Sequence, residues 1–89
     1  MTDYKSKIKD IRNVIPVPMN EALELLTKYN GDVGRCINEA KRNNINFICR
    51  QTGCTESEAA KVYEDEKYDL NRAVSSMREI IYDRHYKPI

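Results

Sequence analysis

The sequence has little of several features that identify common classes of protein. It has no tryptophan, a single phenylalanine, a single histidine, three glycines and three prolines among 89 residues. Fifteen basic and fourteen acidic side chains leave a formal net charge of +1. The chain as a whole therefore supplies no electrostatic field that would steer it onto nucleic acid or anionic lipid, and any such contact would depend on a local patch.

Long apolar runs are also absent. None approaches the roughly 18 residues that a membrane-spanning helix needs. The first residues, Met1 to Lys5, lead into an amphipathic segment instead of the apolar stretch of a signal peptide. We therefore expect a cytoplasmic protein.

The three cysteines make an odd count, and the helical period assigns two of them, Cys36 and Cys49, to buried faces. Free thiols that act as small apolar residues are the favoured interpretation. A metal site would combine Cys49 and Cys54 with His85, but these residues lack the paired short spacings of zinc motifs. Cys54, in a predicted loop, is the best candidate for a reactive or pairing thiol. We expect no metal and no cofactor.

The sequence does contain an internal repeat. Asp32 and Asp69 begin similar stretches and lie 37 residues apart. The same interval pairs further residues without a gap: Ile8 with Ile45, Ile11 with Ile48, Glu21 with Glu58, Ala22 with Ala59 and Arg35 with Arg72. It also predicts equal burial for Ala22 and Ala59, Cys36 and Ala73, and Ile37 and Val74. Because units below about 40 residues rarely fold alone, we expect the two copies to pack on each other.

Apolar residues recur at helical spacing along the chain, and no stretch alternates as a strand would. The spacing predicts a first helix capped by Thr2 or Asp3 and ending near residue 15, then helices over about 19–29, 56–66 and 70–85. The apolar spacing also continues without a break from residue 33 to residue 52. Asparagines at 43, 44 and 46 argue against continuity, because asparagine is a weak helix former and a good cap. We expect a fused or sharply bent helix there.

Local turn chemistry supports these boundaries. Pro16 and Pro18 end the first helix, because each ring fixes φ and removes a backbone donor. Gly31 suits the left-handed conformation at a helix end, and Asp32 can cap the helix that follows. The segment 55–58 matches a capping box, in which a hydroxyl and a carboxylate satisfy each other's amide groups.

No group of residues suggests catalysis. The acidic run Glu64-Asp65-Glu66 has neither a cleft partner nor a metal-ligand set, so we expect it to be exposed surface. The glycines between residues 30 and 34 lack the spacing and the lysine of a nucleotide-binding loop. Because no nucleophile and base converge in the sequence, we do not expect an enzyme.

Three short helices per copy, with a tight first turn and an aspartate before the third helix, resemble the ubiquitin-associated (UBA) family, including its variant at the start of elongation factor Ts. The second copy is the closer match, with residues 48–54 similar to the end of the first helix and its glycine loop, and residues 68–78 similar to the third helix. The resemblance implies an all-α protein of two UBA-like three-helix units packed together. Its parts would be repeat 1 at 1–43, repeat 2 at 44–85 and a short tail at 86–89.

UBA family members grip the apolar patch of ubiquitin with the loop after the first helix and the end of the third. The resemblance thus implies a partner-binding site at Thr52, Gly53, Cys54, Met77, Ile80 and Ile81. We expect the first copy to be less suited to partner binding than the second, because its Pro16-Val17-Pro18 loop lacks a glycine that lets a partner's backbone approach. Elongation factor Ts uses its module to hold an elongation factor, and the Thr52-Gly53 pair is similar to that branch. We expect a non-enzymatic protein-interaction module with a ubiquitin-like or elongation-factor-like partner.

The alternative is a small helical nucleic-acid-binding protein. Its phosphate contacts would come from local basic patches on Lys5, Lys7, Lys9 and Arg12, or on Lys41, Arg42 and Arg50. The near-neutral net charge and the acidic neighbours of both patches make this the less favoured hypothesis.

Overall fold

The computed structural model describes residues 4–86, with side chains to residue 85. This part of the chain forms five helices: α1 (Lys5–Val14), α2 (Met19–Lys28), α3 (Val33–Thr52), α4 (Glu56–Asp65) and α5 (Leu70–Tyr86). It contains no strand, and the predicted all-α fold class is confirmed. The predicted caps at Thr2 and Asp3 lie outside the described residues, as do residues 87–89 of the predicted tail, whereas Tyr86 still belongs to α5.

The third and fourth predicted helices form one continuous helix of 20 residues. The asparagine-rich stretch does not end this helix, and one of its asparagines, Asn44, bonds to another helix. Asn44 Nδ2 donates a hydrogen bond of 2.6 Å to Tyr63 Oη, and Ile45 packs against a buried apolar cluster. An asparagine whose amide bonds to another helix does not compete for the backbone of its own. Of the two forms expected from the sequence, the fused helix is the one observed.

The chain divides into two compact units within α3, between Arg42 and Asn43. The first unit contains α1, α2 and the beginning of α3, and α1 packs against α2. The second unit contains the end of α3 together with α4 and α5, and α4 packs against α5. Each unit thus has three helical segments.

Each unit has its own buried residues. Those of the first are Ile11, Ile15, Val17, Ala22, Leu25, Leu26, Cys36 and Ala40. Those of the second form one cluster of Ile48, Ala59, Val62, Tyr63, Ala73, Val74 and Met77. Burying one such aliphatic or aromatic side chain stabilises a fold by about 1.5–3 kcal/mol, so these residues hold the helices together.

The helices of the second unit follow those of the first at the interval seen in the sequence. α2 and α4 each have 10 residues and begin at Met19 and Glu56. α3 and α5 begin at Val33 and Leu70. The first residues of both pairs of helices are therefore 37 residues apart.

Burial agrees at two of the three residue pairs that the interval predicts. Ala22 and Ala59 are fully buried, and so are Cys36 and Ala73. Val74 is buried, whereas Ile37 is only half-buried, so the expected agreement fails at that pair.

A left-handed turn of two residues precedes the third helical segment of each unit. Asn30 and Gly31 have φ angles of 53° and 82°, and Lys67 and Tyr68 have 56° and 64°. Glycine adopts this conformation freely, as expected for Gly31, but a side chain such as that of Tyr68 makes it cost on the order of 1 kcal/mol. The Tyr68 ring packs edge-on against Tyr63, with centroids 5.2 Å apart, which offsets part of that cost.

Both turns end in an aspartate that caps the next helix. Asp32 Oδ1 accepts a hydrogen bond of 3.2 Å from the Arg35 amide, and Asp69 Oδ1 accepts one of 3.2 Å from the Arg72 amide. The predicted cap at Asp32 is therefore confirmed, and Asp69 caps α5 in the same way. Each cap satisfies an amide that the first turn of a helix leaves without a backbone partner.

A side-chain hydrogen bond also joins the residue after the second helix to the third helical segment in both units. In the first unit the Tyr29 hydroxyl donates to the Glu39 carboxylate, and this bond is the main cause that lowers the pKa of Glu39. In the second unit Ser76 Oγ donates to Glu66 Oε2 at 2.7 Å. The two bonds lie 37 residues apart but run in opposite directions, because the acid is on the third segment in one unit and before it in the other.

The burial difference between Ile37 and Val74 predicts a graded response to a charge. Val74→Asp would bury an unpaired carboxylate and should cost on the order of several kcal/mol, enough to unfold the domain. Ile37→Asp should cost less, because its carboxylate keeps contact with water. Asp65→Lys, on an exposed side chain, should change the free energy of unfolding by less than about 0.5 kcal/mol. Urea unfolding of the three variants measures these costs. Equal losses of unfolding free energy would show that the buried and exposed positions are wrongly assigned.

Candidate functional site

The predicted partner loop lies at the end of α3. Thr52 Oγ1 donates a hydrogen bond of 2.7 Å to the Ile48 carbonyl and accepts one of 3.4 Å from the Cys54 amide. Gly53 has a φ of 76° and is exposed, and an added Cβ would meet nothing within 4 Å. Thr52 and Cys54 are half-buried. Of the three, Gly53 is therefore the residue whose backbone lies open.

The three predicted residues at the end of α5 have different environments. Met77 is 1% exposed and belongs to the core. Ile81 is half-buried against the same core. Ile80 is 40% exposed. A helix turns by about 100° per residue, so adjacent isoleucines cannot share one face.

A groove of about 140 Å³ lies between α4 and α5. Its apolar lining consists of Val62, Met77 and Ile80, and its charged lining consists of Glu58, Lys61, Asp65 and Arg84. The lining does not include Thr52, Gly53 or Cys54. Of the six predicted partner-binding residues, only Met77 and Ile80 line this groove. The loop at residues 52–54 is not part of it.

The charges at the edge of the groove are paired with one another. The Arg84 guanidinium contacts the Glu58 carboxylate and so joins α5 to α4. Lys61 Nζ lies 3.7 Å from Asp65 Oδ2, one turn along α4. Because each carboxylate has a cation beside it, the groove offers apolar contact with little net charge around it.

Glu58 has a second role at the start of α4. Its Oε1 accepts a hydrogen bond of 3.1 Å from the Thr55 amide, and its own amide donates one of 3.2 Å to Thr55 Oγ1. The predicted capping box is thus confirmed. The bond from the Thr55 amide, followed by the bond from Arg84, holds the pKa of Glu58 below its usual value of 4.5.

Another apolar surface, missed by the sequence reasoning, lies at the connection of α1 and α2. Val14, Met19 and Leu23 are 42%, 60% and 46% exposed. Met19 and Leu23 are one turn apart and therefore share a face of α2. Leu23 follows Ala22 in the sequence, but the buried residues of α2 are Ala22, Leu25 and Leu26. The position of Leu23 beside these buried residues is the sequence signal that indicates its exposure.

One lysine of the first basic patch in the nucleic-acid hypothesis makes an internal contact. Lys7 Nζ donates a hydrogen bond of 2.9 Å to the Gly31 carbonyl and is part-buried. Elsewhere, Arg35 Nε lies 3.7 Å from Asp32, and Lys28 Nζ lies 3.6 Å from Glu39. A lysine that stabilises a turn is less available to a phosphate.

Residues 4–86 contain neither a metal-binding cluster nor a membrane-spanning helix. No group of three or more His, Cys, Asp or Glu residues there is placed to hold a metal ion. The three cysteines are free thiols. None of the helices in this range combines the length and apolarity needed to cross a bilayer.

The lowered pKa of Glu58 predicts how one variant depends on pH. The stability that this carboxylate contributes is present above its ordinary pKa of 4.5 and is lost as the pH falls through the lower folded value. Glu58→Gln keeps a capping-box side chain but loses the charge beside Arg84. Its melting temperature should therefore lie below that of the wild type at neutral pH and converge with it in acid. Glu64→Gln, on the exposed side of α4, is the matched control, and its melting temperature should change little. If Glu58→Gln melted below the wild type by the same amount at all pH values, the role assigned to the Glu58 charge would be wrong.

No family model, curated protein or solved structure matches this chain.

Proposed function

We propose that this chain is a non-enzymatic protein-interaction module built from two UBA-like three-helix units. The observation that carries the proposal is the groove between α4 and α5. Its apolar surface comes from Val62, Met77 and Ile80, while the charges at its edge are paired internally. Such a surface recognises an apolar side chain and not a charge, which is how small helical modules hold a partner.

The size of the groove favours a side chain over a small-molecule ligand. Pockets for small molecules usually have volumes of roughly 300 Å³ or more, whereas this groove has about 140 Å³. That space suits a single aliphatic or methionine side chain. The partner is therefore a protein that presents one such residue on its surface, flanked by polar groups.

The carboxylates beside the groove support a binding role over a catalytic one. Glu58 is bonded to the Thr55 amide and to Arg84, and Asp65 pairs with Lys61. A general acid or base must be within reach of its substrate and have a pKa near the working pH. Glu58 has a lowered pKa, which suits a permanently charged structural anchor.

The UBA resemblance suggests two partners for the chain. One is ubiquitin, whose apolar patch UBA members grip, and the other is an elongation factor. Both candidates are folded proteins that would offer an apolar surface residue to Ile80. The exposed surface of Val14, Met19 and Leu23 is the alternative docking place in the first unit.

Two matched variants distinguish these surfaces. Ile80 and Leu23 are 40% and 46% exposed, so a glutamate at either position should leave the fold intact. We expect Ile80→Glu to weaken partner binding by about tenfold or more, since removing a central apolar contact typically costs more than 1 kcal/mol. Leu23→Glu should have little effect. Titration of ¹⁵N-labelled protein with ubiquitin and with an elongation factor, followed by amide chemical shifts, gives the affinities.

Three outcomes would contradict this proposal. Loss of binding in Leu23→Glu but not in Ile80→Glu would move the docking site to the first unit. Failure of the wild type to bind either protein would remove both proposed partners. Amide shifts at residues 5–12 and 41–50 with a short DNA duplex, fading with added salt, would favour the nucleic-acid alternative.

A further inference from the structure

The end of α3 brings two cysteines together. Gly53 adopts a φ of 76°, and its amide donates a hydrogen bond of 2.7 Å to the Cys49 carbonyl. This is the left-handed helix end in which the residue after the glycine folds back against the last turn. In this chain the residue after the glycine is Cys54, and the residue whose carbonyl accepts the bond is Cys49.

Packing and hydrogen bonds hold this arrangement in place. Cys49 and Cys54 are both half-buried against the core of the second unit. Thr52 Oγ1 joins the two sides of the loop, because it donates to the Ile48 carbonyl and accepts from the Cys54 amide. Burial raises the pKa of the Cys49 thiol, and the adjacent, hydrogen-bonded Cys54 thiol raises it further. Cys49 and Cys54, on either side of this turn, thus pack against the same core.

We propose that Cys49 and Cys54 form a dithiol site that a small disulfide such as glutathione disulfide converts into an intramolecular disulfide. The Cys54 thiolate attacks one sulfur of glutathione disulfide, the S–S bond of that molecule breaks, and one glutathione leaves and takes up a proton. The Cys49 thiolate then attacks the Cys54 sulfur of the mixed disulfide, and the second glutathione leaves in the same way. The protein loses two hydrogens and two electrons, and glutathione disulfide is reduced to two glutathione molecules.

The order of attack follows from the surroundings of the two thiols. Cys54 lies in the loop after α3, whereas Cys49 lies within the helix, and burial raises the pKa of the Cys49 thiol, so Cys54 is assigned the first attack. Once the mixed disulfide has formed, Cys49 reacts as a neighbour within the same chain, and proximity compensates for its small thiolate fraction. The product closes a ring over residues 49–54 and fixes Gly53 in its left-handed conformation.

The sequence offers a direct test, because Arg50 lies between the two cysteines. The reduced full-length chain is incubated with glutathione disulfide, its remaining thiols are alkylated, and it is denatured and digested with trypsin. We expect the intact mass, measured before alkylation, to fall by two hydrogens, and peptides 43–50 and 51–61 to be joined by a disulfide. Treatment with dithiothreitol should separate these two peptides. The result requires no variant and so does not depend on the folding of one.

Cys36, which is fully buried in the first unit, provides the matched control. Cys36→Ser should form the same linked peptides, whereas Cys54→Ser should fail to lose two hydrogens. The proposal is overturned if the wild type carries glutathione on separate cysteines without a cross-link. A disulfide that involves Cys36, or one that links two chains, overturns it as well.

Discussion

The fold of each unit depends on one backbone constraint, the left-handed reversal that joins the second helix to the third helical segment. The Gly31 amide bonds to the Leu26 carbonyl at 2.8 Å, and the Tyr68 amide bonds to the Tyr63 carbonyl at 2.8 Å. The aspartate after each turn then starts the next helix. With two residues fixed at positive φ and the following residue fixed as a cap, the chain has little freedom in how the next helix leaves the turn.

The groove in the second unit shares residues with the core of that unit. Val62 on α4 and Met77 on α5 belong to the buried core and also line the groove, so the candidate binding surface rests on residues that the fold already fixes. The ion pair of Glu58 and Arg84 fastens the start of α4 to the end of α5. A partner would therefore meet a surface that is formed before binding, which lowers the entropic cost of association.

The sequence predicted those features that depend on local chemistry. The capping box at Thr55 and the aspartate caps follow from short-range hydrogen bonds, and the helices follow from apolar spacing. Features decided by tertiary contacts were less predictable. Nothing local shows that Asn44 bonds to Tyr63 and leaves α3 intact, or that Tyr68 adopts a positive φ beside the ring of Tyr63. The candidate site was affected in the same way, because helical spacing assigns Met77 and Ile80 to one stripe without saying which of them the neighbouring helix covers.

Amide hydrogen exchange tests the importance of the two turns most directly. Loop amides normally exchange fast, but the amides of Gly31 and Tyr68 each donate a backbone hydrogen bond of 2.8 Å, so both should exchange slowly, at rates close to those of the adjoining helices. Matching protection at these two positions is the result that this account predicts. Fast exchange at Tyr68 with slow exchange at Gly31 would contradict it, because the two units would then not depend on the same turn.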